Sequence, residues 1–380
     1  VSLSNVNPRY ITRPEQLVSI PGTVQAELAP ICRKYAFRTN EYYLSLIDWL
    51  DPNDPIRRII IPSPEEMTSW GRLDASDEKL FTIVPGVEHK YTSTALLLVN
   101  DICGGYCRFC FRKRLFMNGN DEVVRDITPG LEYIKEHPEI TNVLLTGGDP
   151  LILSTRRLEE IIVRIRKIDH VQIIRIGTKM PAFNPHRILE DPGLVEMFER
   201  YSTDRKRIYA MLQFNHPREL TDAALQAAHL MQRAGVTVCN QTPLLRGVND
   251  NPRVLAELMN ALSFAGIPPY YVFQGRPTSG NRHFAIPVEE SYDIFEQARS
   301  YCSGLAKRAR LVMSHATGKI EILGKDADHV YFRYHRAAEP QSQARFMILR
   351  RNPGAYWFDD YEEIVNEYSL DEPYRCFGPE

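Results

Sequence analysis

The sequence predicts an α/β fold, a partial (β/α)6 barrel with an N-terminal helical extension and a C-terminal tail. Three observations predict it. Short apolar runs recur from about residue 94, amphipathic stretches of a dozen or more residues separate them, and 380 residues suit one barrel core with flanking segments. The runs are 94–100, 142–146, 171–177, 207–214, 237–245 and 269–274, rich in Val, Ile, Leu and Tyr. They are mostly continuous, as strands buried on both faces should be.

Helical patterns lie between them at 155–168, 221–234, 252–265 and 288–308. In the second, Thr221 can cap the start, Ala224, Ala228 and Met231 recur at helical spacing, and Gly235 stands where a left-handed terminator belongs. Such alternation forces parallel neighbours joined by right-handed crossovers. A doubly wound open sheet shares this pattern and stays open at this point. Either way, chemistry gathers at the C-terminal ends of the strands.

The expected division is 1–92 for an extension with helices at 24–35 and 41–49 and a proline-punctuated linker, 93–319 for the core, and 320–380 for an irregular tail. Hydrophobic residues are 43% of the chain, charged residues 25%, and the formal net charge is −2. This balance exerts no long-range pull on a polyanion, so the expected partner is a small molecule and not nucleic acid. No apolar run reaches the roughly 18 residues needed to span a bilayer, and Val1-Ser2-Leu3-Ser4 is no leader, so the expected location is cytoplasmic, away from membranes.

Seven cysteines stand at 32, 103, 107, 110, 239, 302 and 376, three of them within eight residues. This is not a disulfide framework. Cys103, Cys107 and Cys110 follow the first strand, with Gly104 and Gly105 supplying the backbone freedom to wrap a cluster. A four-iron cluster is ordinarily held by four thiolates, so three leave one iron open. The amino and carboxylate groups of S-adenosylmethionine can chelate that iron, and an electron from the cluster then cleaves the sulfonium to a carbon radical. A zinc site needs a fourth Cys or His at matched spacing, and the nearest histidines are His89 and His137. Cys32, Cys239, Cys302 and Cys376 are isolated and read as small buried hydrophobes.

With Tyr106 before the second cysteine, the run resembles the CxxxCxxC signature of radical SAM enzymes, and Gly147-Gly148-Asp149-Pro150 resembles their glycine-rich turn at the methionine amino group. Alone, that turn is an ordinary tight βα connection. Over roughly residues 85 to 335 the chain is similar to the lysine 2,3-aminomutase family. The similarity is carried by His89-Lys90-Tyr91, the run from Cys107 to Arg114, Arg175-Ile176-Gly177-Thr178, Phe214-Asn215-His216-Pro217, Asn240-Gln241, Leu245 to Asp250 and Pro269-Tyr270-Tyr271. The resemblance implies a barrel of radical SAM type and an isomerase that moves an amino group between neighbouring carbons. Pyridoxal 5′-phosphate would carry the nitrogen, a 4Fe-4S cluster and S-adenosylmethionine would generate the radical, flavodoxin or ferredoxin would donate the electron, and the chain would form a homo-oligomer.

The same resemblance assigns residues. Gly147, Gly148, Asp149, Gln213 and Gln241 would contact S-adenosylmethionine, and Lys319, after Gly318, would form the resting Schiff base. Arg112 would pair with the substrate carboxylate; otherwise the run Arg108, Arg112, Lys113, Arg114 reads as a solvated basic face or a nucleic-acid contact. Two family arginines for the cofactor phosphate are matched by Lys90 and Thr94, so phosphate binding is weakened or supplemented elsewhere. Phe273 replaces a tyrosine beside the cofactor. With Asn251 in place of one cysteine and only Cys376 in the tail, no structural zinc is expected. Arg276 stands where the lysine enzyme has an aspartate for the distal ammonium, and no carboxylate is in register near Met313 or Ser314. An acidic substrate, glutamate before aspartate, is therefore expected. The alternatives are a family enzyme acting on another amine or catalysing an elimination, and an iron–sulfur protein that is non-catalytic or RNA-directed.

Overall fold

Thirteen strands form one open sheet in the computed structural model, which describes residues 8–117 and 119–369. They are β1 (Thr82–Val84), β2 (Val87–Tyr91), β3 (Thr94–Asn100), β4 (Asn142–Gly147), β5 (Ile173–Thr178), β6 (Ile208–Leu212), β7 (Thr237–Pro243), β8 (Pro269–Phe273), β9 (Arg310–His315), β10 (Gly318–Lys325), β11 (His329–Ala337), β12 (Phe346–Arg350) and β13 (Ile364–Tyr368). Neighbours in sequence are neighbours in the sheet. From β3 to β9 every pairing is parallel, which makes a partial barrel; β1 and β2 flank it antiparallel on one side and β10 to β13 on the other.

The parallel part has one strand more than the six units counted from sequence. Strand β9 escapes the count because its apolar run is short and ends in Ser314 and His315. The described part of the segment after Lys319 is also corrected: through Tyr368 it is largely regular sheet, and burial in β11 alternates along most of its length, the mark of a half-covered antiparallel strand. The sheet runs through both expected boundaries, since β2 pairs with β3 across residue 92 and Lys319 lies inside β10.

Crossover helices cover the outer face: α1 belongs to the extension (Gly22–Lys34), followed by α2 (Thr128–Glu136), α3 (Thr155–Arg166), α4 (Pro192–Tyr201), α5 (Asp222–Arg233), α6 (Pro252–Phe264) and α7 (Val288–Ser300). Ser154 caps α3 by accepting the Arg157 N–H, and Leu158, Ile161, Ile162 and Ile165 form its buried stripe. Thr221 caps α5 in the same way, and Gly235 beyond its end has φ +79°, as expected. The pattern read at 288–308 ends as a helix at Ser300, and that at 41–49 at Leu44.

Strand residues divide between the two faces with a period of two. Val143, Leu145, Ile174, Ile176, Ala210 and Leu212 point outward into the core beneath the helices. Leu144, Thr146, Arg175, Gly177, Met211, Gln213, Gln241, Tyr271 and Phe273 line the cavity inside. The extension packs as a third cluster, with Ile56, Ile59 and Ile60 against Phe109, Phe183 and Phe284 at the barrel mouth. Among the described residues, no helix is long and apolar enough to cross a membrane.

Candidate active site

The cysteine loop leaves β3 at Asn100, whose amide donates to the Asp149 carbonyl (2.9 Å) and whose Oδ1 accepts from Ile102 N–H (2.7 Å). Gly147 and Gly148 make this possible. Gly147 has φ +113°, and a Cβ on Gly148 would lie 2.2 Å from the Ile102 carbonyl oxygen. The close approach that the glycines permit is therefore to the cysteine loop itself. Asp149 has a bracing role too: its carboxylate accepts from Leu151 N–H, Thr178 Oγ1 and Lys179 N–H, and burial pushes it up to about 6.

From the other side the extension closes down. Tyr106 N–H donates to Arg38 O (2.9 Å), Arg108 N–H to Ile59 O (2.8 Å), and Asn40 Nδ2 to Phe183 O (2.9 Å). Cys103, Cys107 and Cys110 are half-buried, and what they expose faces the cavity. Burial raises all three thiols, and Cys103 and Cys107 are raised further by the neighbouring cysteines. Among the described residues no group of three or more His, Cys, Asp or Glu side chains is placed to hold a single metal ion. Three neighbouring thiols at one wall of a cavity nevertheless fit a cluster with one open iron, and metal binding would release their protons.

The basic run is neither a solvated face nor a nucleic-acid contact: Arg108, Arg112, Lys113 and Arg114 are only 3%, 8%, 6% and 7% exposed. Arg108 donates Nε and Nη2 to the two oxygens of Glu66 (2.9 and 2.7 Å), and Lys113 Nζ donates to the Arg108 carbonyl (2.9 Å). Glu66 is fully buried, so this pair rivets the extension onto the cysteine loop. Glu66→Ala is expected to cost about 3–5 kcal/mol of unfolding free energy by leaving a buried guanidinium unpaired. The double variant Glu66→Leu/Arg108→Met should recover most of that. Anaerobic chemical denaturation measures both, and a loss below about 1 kcal/mol, the scale of an exposed pair, would contradict the rivet.

One cavity of about 350 Å³ gathers every site residue selected from the sequence. Cys103, Cys107, Cys110, Gly147, Gly148 and Asp149 line it on one side; Lys90, Thr94, Phe273, Arg276 and Lys319 line it on another, with Arg112, Gln213 and Gln241. Gln213 and Gln241 occupy successive strand ends. Lys319 is half-buried and lines the cavity, with Nζ 5.3 Å from the Tyr271 ring centre and 5.1 Å from that of Phe273. Burial first, then Arg276, Arg175, Lys90 and Arg336, hold its amine well below the ordinary lysine range. An amine depressed in this way among aromatic rings and cations fits an aldehyde cofactor bearing a phosphate.

Arg112 is already engaged. Its Nε and Nη2 donate to Glu78 (3.1 and 2.7 Å) and its Nη1 to Thr146 Oγ1 (3.1 Å). Burial raises Glu78, but Arg112, Arg114 and Arg276 outweigh it and keep that carboxylate ionised; burial and repulsion from Glu78 push Glu88 up, toward its neutral form. Arg276 forms no ion pair among the described residues. Its guanidinium lies 3.6 Å over the Phe111 ring, and its Nη1 is buried without a hydrogen-bond partner.

Sequence reasoning did not select Glu78, Glu88, Arg175, Tyr271 or Arg336 for the site, yet all line the cavity. A signal existed for Arg175: a cation inside an otherwise apolar parallel strand must face a polar interior. Arg336 sits opposite Lys319 on β11, a register invisible without the antiparallel return of β10. Glu78 and Glu88 belong to the extension and its first strands, where no local pattern ties them to the barrel.

Comparison with known proteins bears on this cavity. Residues 97–259 match the model of the radical SAM superfamily. A putative L-lysine 2,3-aminomutase of Aquifex aeolicus (strain VF5) is 58% identical over 95% of this chain and 96% of its own. The L-lysine 2,3-aminomutase of Clostridium subterminale is 38% identical over 79% of this chain and 72% of its own. The glutamate 2,3-aminomutase of Clostridioides difficile (strain 630) is 32% identical over 84% and 76%.

Proposed function

Because this chain belongs to the lysine 2,3-aminomutase family of radical SAM isomerases, we propose that it is a 2,3-aminomutase acting on an acidic amino acid, glutamate before aspartate. The family's 4Fe-4S cluster, S-adenosylmethionine and pyridoxal 5′-phosphate supply, when bound, a carbon radical that abstracts hydrogen and an aldehyde that carries the migrating nitrogen. Cys103, Cys107 and Cys110 hold the cluster, and Gln213 and Gln241 contact the sulfonium cofactor from their strand ends. Lys319 would attach the aldehyde, since burial and the surrounding cations hold its amine well below the ordinary lysine range. Arg112 takes the substrate α-carboxylate on its Nη1 side, beside Thr146; Glu78 fills the other edge and fixes the guanidinium plane.

The observation that carries the acidic substrate is Arg276. Burial pulls its guanidinium down to about 10, so it stays charged, and it meets no carboxylate within ion-pair distance. A distal ammonium placed there would add a second desolvated cation; a distal carboxylate would meet an unfilled donor. Neutral Glu88 contributes no competing negative charge. The test is kcat/KM for glutamate, aspartate, lysine, arginine and alanine with the anaerobic, reductively activated enzyme, repeated with Arg276→Ala. Glutamate is expected to exceed lysine by about a hundredfold or more, the equivalent of about 3 kcal/mol, with the preference lost in the variant. Lysine, the substrate named for the 58% identical relative, is the competing outcome; if it proves best, or if Arg276→Ala leaves the order unchanged, the acidic-substrate reading fails. The electron donor is proposed to be a flavodoxin or ferredoxin, and the assembly a homo-oligomer.

A further inference from the structure

Resting on the pyridoxal 5′-phosphate assignment, we propose that Arg336, helped by Arg175, binds the cofactor phosphate, relocating to β11 the cation that Thr94 does not supply. Lys319 and Arg336 are direct cross-strand partners of the β10–β11 pair, and both line the cavity. Two cations opposite one another are unfavourable unless one is neutral or an anion lies between them. Arg336 Nη2 donates to Ser93 Oγ and Thr94 Oγ1, each at 2.9 Å, so its guanidinium is pinned at residue 94, although its backbone lies on another strand. Its plane lies 4.3 Å over the Tyr91 ring.

No carboxylate answers these charges. The ionisable groups acting on Arg336 are Tyr91, Tyr271 and Tyr270, and it forms no ion pair among the described residues. Arg175, from the inner face of β5, likewise forms none. Two donors at this end are buried without partners, Arg175 Nε and the Tyr91 hydroxyl. Buried donors are rarely left so, and a dianionic phosphate with three acceptor oxygens would satisfy both. Lys90 completes the cluster, already tied to the His315 carbonyl.

The experiment titrates cofactor-free protein with pyridoxal 5′-phosphate and, separately, with pyridoxal, following the visible absorbance of the bound aldehyde. Arg336→Gln is expected to weaken the phosphate form about thirtyfold or more, as loss of a charge-assisted buried contact should, and to leave pyridoxal unchanged. Inorganic phosphate should compete with the cofactor in the wild type and much less in the variant. Adding Thr94→Arg to Arg336→Gln should restore the phosphate preference. Equal weakening of both aldehydes, or an undiminished preference for the phosphate form, overturns the assignment. If Arg336→Gln does not fold, Arg336→Lys decides in the same terms: selective weakening supports it, and unselective weakening or none overturns it. A wild type that binds neither aldehyde would overturn the cofactor reading beneath it, a separate result.

Discussion

Replacing Cys103, Cys107 or Cys110 by alanine is expected to reduce both cluster content and S-adenosylmethionine cleavage to background. Three thiols offer one ligand per iron with none to spare. Among the described residues the isolated cysteines cannot stand in: Cys32 packs in the extension cluster, Cys239 faces Met211, and Cys302 is buried against α6, while Cys376 lies outside the described residues. The nearby carboxylate is not free to replace a thiol either, since Asp149 is committed to Thr178 and backbone amides. Iron and sulfide content after anaerobic reconstitution, together with 5′-deoxyadenosine release, measures the effect. A normal cluster and normal cleavage in any single variant would refute the ligand assignment. Because each thiol is raised by burial, cluster assembly in the wild type should also release protons, which weakly buffered reconstitution would register.

Lys319→Ala is expected to abolish covalent cofactor attachment and amino-group migration while cluster content and S-adenosylmethionine binding persist. The separation follows from position: the cysteines lie on the loop after β3 and Lys319 on β10. Borohydride reduction followed by peptide mapping locates the attachment, and a labelled lysine other than Lys319 would remove it from its role. Lys90 is the informative rival. It lines the same cavity, but burial and Arg276 bring it down only to about 8, and its amine is held by the His315 carbonyl. At neutral pH it is mostly protonated, whereas burial and four surrounding cations hold the Lys319 amine well below the ordinary lysine range.

Local signals carried the barrel far. Thr221, Gly235 and the stripe of α3 are caps, terminators and periodicities that a dozen residues determine by themselves. Two crossover helices, α2 and α4, left no such signal. Each opens on a proline and glycine, Pro129-Gly130 and Pro192-Gly193, which read as turns; Gly130 is there because a Cβ would lie 2.5 Å from Val87. At the site, the thiols were selected from their spacing and Lys319 and Arg112 from the family resemblance, and the structure brings all of them to one cavity. Arg336 and Glu78 were not legible, for opposite reasons. One reaches the cavity through an antiparallel return beyond the barrel, the other from a segment preceding it, and only long-range pairing unites them.

The riveting of the extension also sets a timetable for synthesis. Its buried carboxylates all find their partners later in the chain: Glu66 with Arg108, Glu78 with Arg112 and Arg114, and Asp54 with Arg218. A ribosome delivers the lid first and the last of its counter-charges some 160 residues later. Until then, folding the extension down would bury Asp54 without its cation. Docking of the extension is thus written into the order of the polypeptide as a late step, one that waits for the chain beyond α4.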